Sequence, residues 1–309
     1  MSPAEVGKEP GYVLTRDMYA SIRLNLQHYL WKDGLGYLLH PSIPLPSPKT
    51  RYRIADLGTG TGYVVSDCDL YFISWVVRIS MSDIKRPGIR IWPLDLVRQL
   101  PSTVQLYGFD ISSSQFPHPN YLPANVKLEV LDSLRVDPPE ELLGSFDIVH
   151  LRLWLGVVMN GDPSALLTHA LKLLRPGGYI QWDEIDPNRG IAEGPNGEES
   201  PHVAKILKMQ ANIKDLRWIP TLPRLFAQYD LEDIKEDFAF EQPWQSKMAG
   251  DGSCAVVHEM ASNGSPFIAD KLKRVGVDVP KAYEEVCEGA RLTQPFCVTV
   301  GRKPIQTST

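Results

Sequence analysis

Residues 54–62, Ile-Ala-Asp-Leu-Gly-Thr-Gly-Thr-Gly, carry the densest chemistry in the chain. A short apolar run ends at Asp56, and Gly58, Gly60 and Gly62 follow at every second position. Glycine lets the backbone take positive φ and lets a ligand approach without meeting a Cβ. After a strand and ahead of a helix, such a turn makes a nucleotide-sized cradle at the carboxyl end of a parallel sheet. Further polar groups close strand-like runs downstream: Asp110, Asp132 with Ser133, His150 with Arg152, and Asp183 with Glu184. Such groups can accept from ligand hydroxyls and amines or move a proton. Each also has a plainer use as a turn acid, a helix cap or a satisfied structural histidine.

The pattern Asp-x-Gly-x-Gly-x-Gly resembles the first motif of class I S-adenosylmethionine (SAM) methyltransferases. Phe146-Asp147-Ile148-Val149-His150-Leu151-Arg152 resembles their fourth-strand motif. Arg175-Pro176-Gly177-Gly178-Tyr179 resembles their Leu-(Arg/Lys)-Pro-Gly-Gly turn. The resemblance implies SAM as cofactor, held by Asp56, Gly58, Gly60 and Gly62, by Asp110 on the ribose, and by Asp132 and Ser133 at the adenine. Arg152 is expected at the methionine carboxylate or the acceptor. His150, Asp183 and Glu184 are the candidate catalytic groups, and no metal is implied. The helix bearing Arg23-Leu24-Asn25-Leu26-Gln27-His28, with the proline-rich stretch after it, resembles fungal secondary-metabolism methyltransferases. These include small-molecule enzymes and a velvet-associated regulator, and the likeness places Tyr19 and Arg23 near the cofactor.

The elements that must position these groups follow from pattern. Met18, Ile22, Leu26 and Leu30 recur at four-residue spacing and predict an amphipathic helix over 15–31, with Arg16, Tyr19, Arg23 and Gln27 on its polar side. Four prolines in 41–49 make a stiff linker. Strands are predicted over 104–109, 126–131, 146–151 and 179–182. A helix opens at Asp162-Pro163, with the acid as cap and the proline at the first helical position. Beyond Asn188 come a loop at 190–201, a helix at 203–216, a strand at 234–240, a helix at 280–291 and a last strand at 296–300. Strands alternating with helices predict an α/β fold: a Rossmann-like, seven-stranded, mainly parallel sheet with helices on both faces and an N-terminal helical cap. The expected organisation is a cap and linker over 1–49 and a SAM-binding domain over 50–309. Helical substrate-lid segments are expected at 187–220 and 243–291.

One stretch departs from this plan. The helix expected after Gly62 is replaced by residues 63–90, and a good helical pattern appears only at 91–100. Asp110 stands 52 residues after Gly58; without the 28-residue stretch the spacing is 24, close to the ~20 expected of a ribose-binding acid. Joining Gly62 to Ile91 restores a continuous strand–turn–helix unit. The stretch 63–90 therefore reads as an insertion, such as a retained short intron, that impairs the chain as written; the alternative is a genuine lid loop whose apolar run packs on the body.

The 309 residues are 43% hydrophobic and 22% charged, with a formal net charge of −5. That composition is ordinary for a soluble globular chain, and no basic run offers a nucleic-acid footprint. Cys68, Cys254, Cys287 and Cys297 show neither metal-ligand nor disulfide spacing, which suits a reducing compartment. No apolar run reaches the ~20 residues that cross a bilayer. The expected setting is cytoplasmic, with the nucleus as the alternative. The expected activity is methyl transfer to a hydroxyl, amine or thiol of a small metabolite. Two other readings compete: a SAM-binding regulator that acts through protein partners, and a dehydrogenase that uses the same glycines.

Overall fold

The computed structural model describes residues 18–45, 47, 51–59, 92–113, 116–135, 137–158, 161–212, 215–263 and 266–305. The chain begins there with helix α1 (Met18–Leu35) and strand β1 (Tyr52–Leu57). A five-residue helix, α2 (Trp92–Leu96), precedes β2 (Val104–Asp110), β3 (Val126–Val130) and β4 (Phe146–Arg152). Helix α3 (Ser164–Leu173) leads into the long strand β5 (Leu174–Ile185) and the short β6 (Ile191–Glu193). Then come α4 (Pro201–Asn212), α5 (Leu222–Gln228), β7 (Glu232–Ala239), α6 (Ser246–Asn263), α7 (Pro266–Val275), α8 (Val279–Cys287), β8 (Arg291–Thr293) and β9 (Phe296–Arg302).

Seven strands form one sheet in the order β3-β2-β1-β4-β5-β9-β7. β1 pairs in parallel with β2 and β4, β2 with β3, and β4 with β5. β9 runs antiparallel between β5 and β7, so the last strand in the chain is the reversed one. The central strands are apolar on both faces, as a sheet covered on both sides requires. In β4, Phe146, Ile148, Val149 and Leu151 are all fully buried. One face packs Leu57, Phe109, Phe146 and Trp182 under α3 and α5; the other packs Ile54, Ile148, Val298 and Val300 under Trp92 and Leu96. A satellite core joins α4, α6, α7 and α8 through Val203, Ile206, Val257, Ile268 and Val286. Among the described residues no helix is long and apolar enough to cross a membrane.

Several boundaries differ from the sequence expectation. Of the helix expected at 91–100, the described residues form a single turn and a half over Trp92–Leu96, and Val97–Gln99 close as turns. The Arg175-Pro176-Gly177-Gly178 run lies inside β5 instead of ending the preceding helix. Gly177 takes φ +76°, a conformation that L side chains rarely adopt, and a Cβ on Gly178 would stand 2.8 Å from the Asp147 carbonyl. The β4–β5 register shifts between Phe146 and Ile148, and Arg175 Nε donates to Asp147 Oδ1 at 2.5 Å beside the shift. Asp162 is displaced by one place: Pro163 occupies the cap position of α3, while Asp162 Oδ1 accepts from Ser164 N at 2.9 Å. The two-stranded sheet β6–β8 has no counterpart in the sequence reading.

α1 keeps its predicted apolar face at Leu26 and Leu30 but not at Ile22. Ile22 is 59% exposed and Arg23 only 5%. The helix packs through Leu30 and Trp31 onto Phe296, and Arg23 Nε meets Glu259 Oε2 of α6 at 3.0 Å. Tertiary packing against a polar partner overrides the four-residue apolar period. Residues 60–91, which contain Gly60, Gly62 and the suspected insertion 63–90, lie outside the described residues.

Candidate functional site

The carboxyl ends of β1, β2, β3, β4 and β5 gather most of the candidate residues at one edge of the sheet. At the end of β1, Gly58 takes φ +68°, and a Cβ there would lie 2.8 Å from Trp154 Cζ2. Only glycine fits that backbone and that approach. Trp154 Nε1 donates to the Leu57 carbonyl at 3.2 Å, so this indole ties the β1 turn to the chain leaving β4. Sequence reasoning missed Trp154. The cue available was an aromatic two residues beyond the fourth-strand motif.

His150 and its neighbours form a buried charged knot. His150 is fully buried; its Nδ1 lies 2.6 Å from Asp56 Oδ1 and its Nε2 2.9 Å from Asp183 Oδ2. Burial alone would lower the pKa of the ring, but Asp183 and Asp56 outweigh it and raise it. With a carboxylate on each nitrogen the ring donates from both sides as an imidazolium. Trp92 stacks on it, with centroids 3.8 Å apart and planes 2° from parallel. Gln181 Nε2 donates to Asp183 Oδ1 at 3.0 Å and completes the set. His150 and Asp183, expected as catalytic groups, and Asp56, expected at the cofactor, are thus committed to one another. The knot fixes β1, β4 and β5 in register.

Glu184 is also fully buried. It accepts from the Trp154 and Leu155 backbone N–H groups at 2.7 and 3.3 Å and from Trp182 Nε1 at 2.9 Å. Burial pushes its pKa up to about 8 against these three donors. It anchors the turn after β4, where Leu153 takes a left-handed φ of 59°. None of His150, Asp183 and Glu184 lines the cavity described below.

Arg152 is held from α1. Its Nη1 donates to His28 Nδ1 at 3.2 Å, and its guanidinium lies 5.7 Å from the centroid of the Trp31 ring. His28 Nε2 in turn faces Asp95 Oδ2 at 3.3 Å, and Lys32 Nζ donates to the same oxygen at 2.7 Å. Burial lowers the His28 pKa to about 4, so the ring is neutral at pH 7. Sequence reasoning missed this chain from Arg152 through His28 to Asp95, because its members are 57 or more residues apart.

The remaining cofactor candidates sit at the strand ends. Asp110 Oδ1 accepts from Ser112 N at 3.2 Å, a turn contact at the end of β2. Asp132 Oδ1 accepts from Leu134 N at 3.1 Å, and its other oxygen lies 3.4 Å from Arg135 Nε. Ser133 is 4% exposed and its Oγ has no hydrogen-bond partner, so a buried polar atom is left for a ligand at the end of β3. Arg23 is elsewhere: it lines a cavity beside α6 and pairs with Glu259, away from the strand-end acids. Tyr19 lies on α1, and its side chain is outside the described residues, as are Gly60 and Gly62.

That cavity, of about 190 Å³, opens beyond β4 and β5 between α1, α6 and the start of β9. Leu30, Trp31, Leu153, Val256, Met260 and Phe296 give it a mainly apolar wall. Among the described residues no group of three His, Cys, Asp or Glu side chains could hold a metal ion.

A family model described as "Methyltransferase domain" matches residues 24–236. The chain belongs to this methyltransferase domain family. Among curated proteins it is similar to methyltransferase grgD of a Penicillium species, 32% identical over 59% of this chain and 55% of that one. It is similar to N-methyltransferase tcpN of Claviceps purpurea, 36% identical over 52% of this chain and 47% of that one. It is also similar to N-methyltransferase gliN of Aspergillus fumigatus, 26% identical over 74% of this chain and 70% of that one. The matches span about half the length of the first two relatives. Among solved structures it resembles phosphoethanolamine N-methyltransferase 2 of Haemonchus contortus in complex with S-adenosyl-L-methionine. That likeness has a TM-score of 0.48 and 14% identity over 91% of this chain and 57% of that one.

Proposed function

We propose that this chain transfers a methyl group from SAM to a small, mainly apolar acceptor of secondary metabolism. The observation that carries the reading is the apolar cavity beyond the carboxyl ends of β4 and β5, in the same sheet whose neighbouring strands β1, β2 and β3 lead to Gly58, Asp110 and Ser133. The names of the fungal relatives favour nitrogen as the accepting atom.

The residues present fit the cofactor. Gly58 makes the left-handed turn that ends β1, Ser133 Oγ is buried without a partner, and Asp110 ends the strand beside β1. Asp110 would hold the ribose hydroxyls, and Asp132 and Ser133 the adenine. Bound SAM supplies an electrophilic methyl on a sulfonium. The chain's own work is to hold the accepting atom in line, which can supply most of the acceleration. His150 has both nitrogens engaged and serves as a brace for the strand ends instead of a base. Arg152, held by His28 and Trp31, ties α1 to the end of β4. The segments 187–220 and 243–291 supply Pro187, Gln210, Val256 and Met260 to the cavity, in keeping with a substrate lid over the 50–309 domain.

Residues 63–90 are read here as an insertion into the cofactor turn. Calorimetric titration of SAM tests the whole reading. Binding of SAM and not of NAD supports it; binding of NAD alone overturns it.

A further inference from the structure

The cavity beside α1 and α6 is not simply greasy. Among the described residues, four that line it each carry a buried polar atom without a hydrogen-bond partner: Arg23 Nη2, Trp31 Nε1, Glu241 Oε1 and Gln294 Oε1. Buried polar groups are almost always paired, so orphans gathered on one cavity point to a ligand that completes them. Two of these are oxygens on side chains more than nine-tenths buried: Glu241 is 4% exposed and Gln294 7%.

The rest of each side chain is already committed. Thr293 Oγ1 donates to Glu241 Oε2, and Gln294 Nε2 donates to Gln210 Oε1. Arg291 Nε stands 3.8 Å from Glu241 Oε1, an ion pair beyond hydrogen-bond reach, and makes no hydrogen bond itself. What the cavity offers a ligand is therefore a pair of acceptor oxygens set among apolar walls, with Arg23 Nη2 and Trp31 Nε1 as donors. A volume of about 190 Å³ is below the ~300–1,000 Å³ usual for drug-sized ligands. It suits a single ring system.

We propose that Glu241 and Gln294 are the specificity-determining residues of the acceptor pocket. They select an apolar ring that donates an N–H or O–H to them. The proposal rests on the methyl-transfer reading and narrows it, because a thiol, as a weak donor, would leave both oxygens poorly satisfied. A site with buried acceptors discriminates against an analogue that lacks the donor, since the acceptors then stay unpaired. No proton need pass to either residue; their part is to choose and orient the accepting group.

Indole and benzofuran are matched in shape and differ in the ring N–H, so they test the proposal directly. NMR titration of the full chain should show indole bound at least tenfold more tightly than benzofuran. Gln294→Leu leaves the Glu241–Thr293 pair intact and should cut that ratio severalfold. Glu241→Leu should bring it close to one, with circular dichroism as the check on folding. Equal binding of the two probes, binding of neither, or an unchanged ratio in Gln294→Leu would overturn the proposal. SAM titrated in parallel separates the two levels. SAM binding without indole preference leaves methyl transfer standing and removes the donor-selecting pair. Indole preference with SAM bound neither by this chain nor by the form with Gly62 fused to Ile91 removes the methyl-transfer reading instead.

Discussion

Trp92 lies flat on His150 at 3.8 Å between ring centroids, and this one contact joins the two halves of the interrupted motif. Trp92 follows the undescribed stretch 60–91, whereas His150 is bonded to Asp56, two residues before Gly58. Trp92 Nε1 also donates to the Leu38 carbonyl at 3.1 Å, and Asp95 pairs with Lys32. Residues 60–91 separate the turn from α2 along the chain, yet α2 is docked by its own side chains.

Trp92→Ala should cost about 3–5 kcal/mol of stability, the usual range for a buried Trp or Phe truncation. Urea unfolding checks this cost. A cost below about 1 kcal/mol would mean that α2 is not part of the folded core.

The second prediction concerns pH. Glu184 has a folded pKa raised to about 8 from the ordinary 4.5, so the folded state holds its proton more tightly than the unfolded state. Its contribution is fully present below about pH 4.5 and is lost as pH rises through about 8. Glu184→Gln removes this dependence. The stability of wild type minus that of the variant should therefore fall steadily between those limits. His28 acts in the opposite sense between pH 4 and 6.5, but it is common to both proteins and cancels. A difference that stays flat, measured by chemical unfolding across the range, would show that Glu184 is not desolvated.

Gly252 offers a test of the cavity wall. It lies within α6 at ordinary helical φ, and an added Cβ would meet only Leu26 Cδ2, at 3.6 Å. Gly252→Ala should raise stability by about 0.5–1 kcal/mol while leaving SAM affinity unchanged. A melting temperature below that of wild type would show that this face of α6 is closed against a neighbour.

The sheet was legible from sequence because its strands carry their own signals. The runs at 104–109 and 146–151 are short and apolar, end in polar residues and need no long-range knowledge. Site roles were less legible. Asp56, His150 and Asp183 each look like free groups at a strand end, and only the register of β1, β4 and β5 brings them together. Arg23 reads as solvent-facing until α6 supplies Glu259. Glu241 and Gln294 carry no local motif at all; their meaning lies in a cavity assembled from α1, α6 and β9.

Asp110 was expected on the ribose from its corrected spacing, and that assignment remains open to a direct test. Losing a hydrogen bond to a charged group typically costs about 1.5–3 kcal/mol. Asp110→Ala should therefore weaken SAM binding at least tenfold by calorimetry. Wild-type affinity in the variant would move the ribose elsewhere.

The most direct measurement compares SAM binding by the chain as written with binding by a variant in which Gly62 is fused to Ile91. The account predicts that the fused form binds SAM more tightly and unfolds at higher urea, because the glycine turn again runs straight into the residues that dock on His150. Affinity in the fused form that is equal or weaker would contradict the insertion, and failure of both forms to bind SAM would contradict methyl transfer itself.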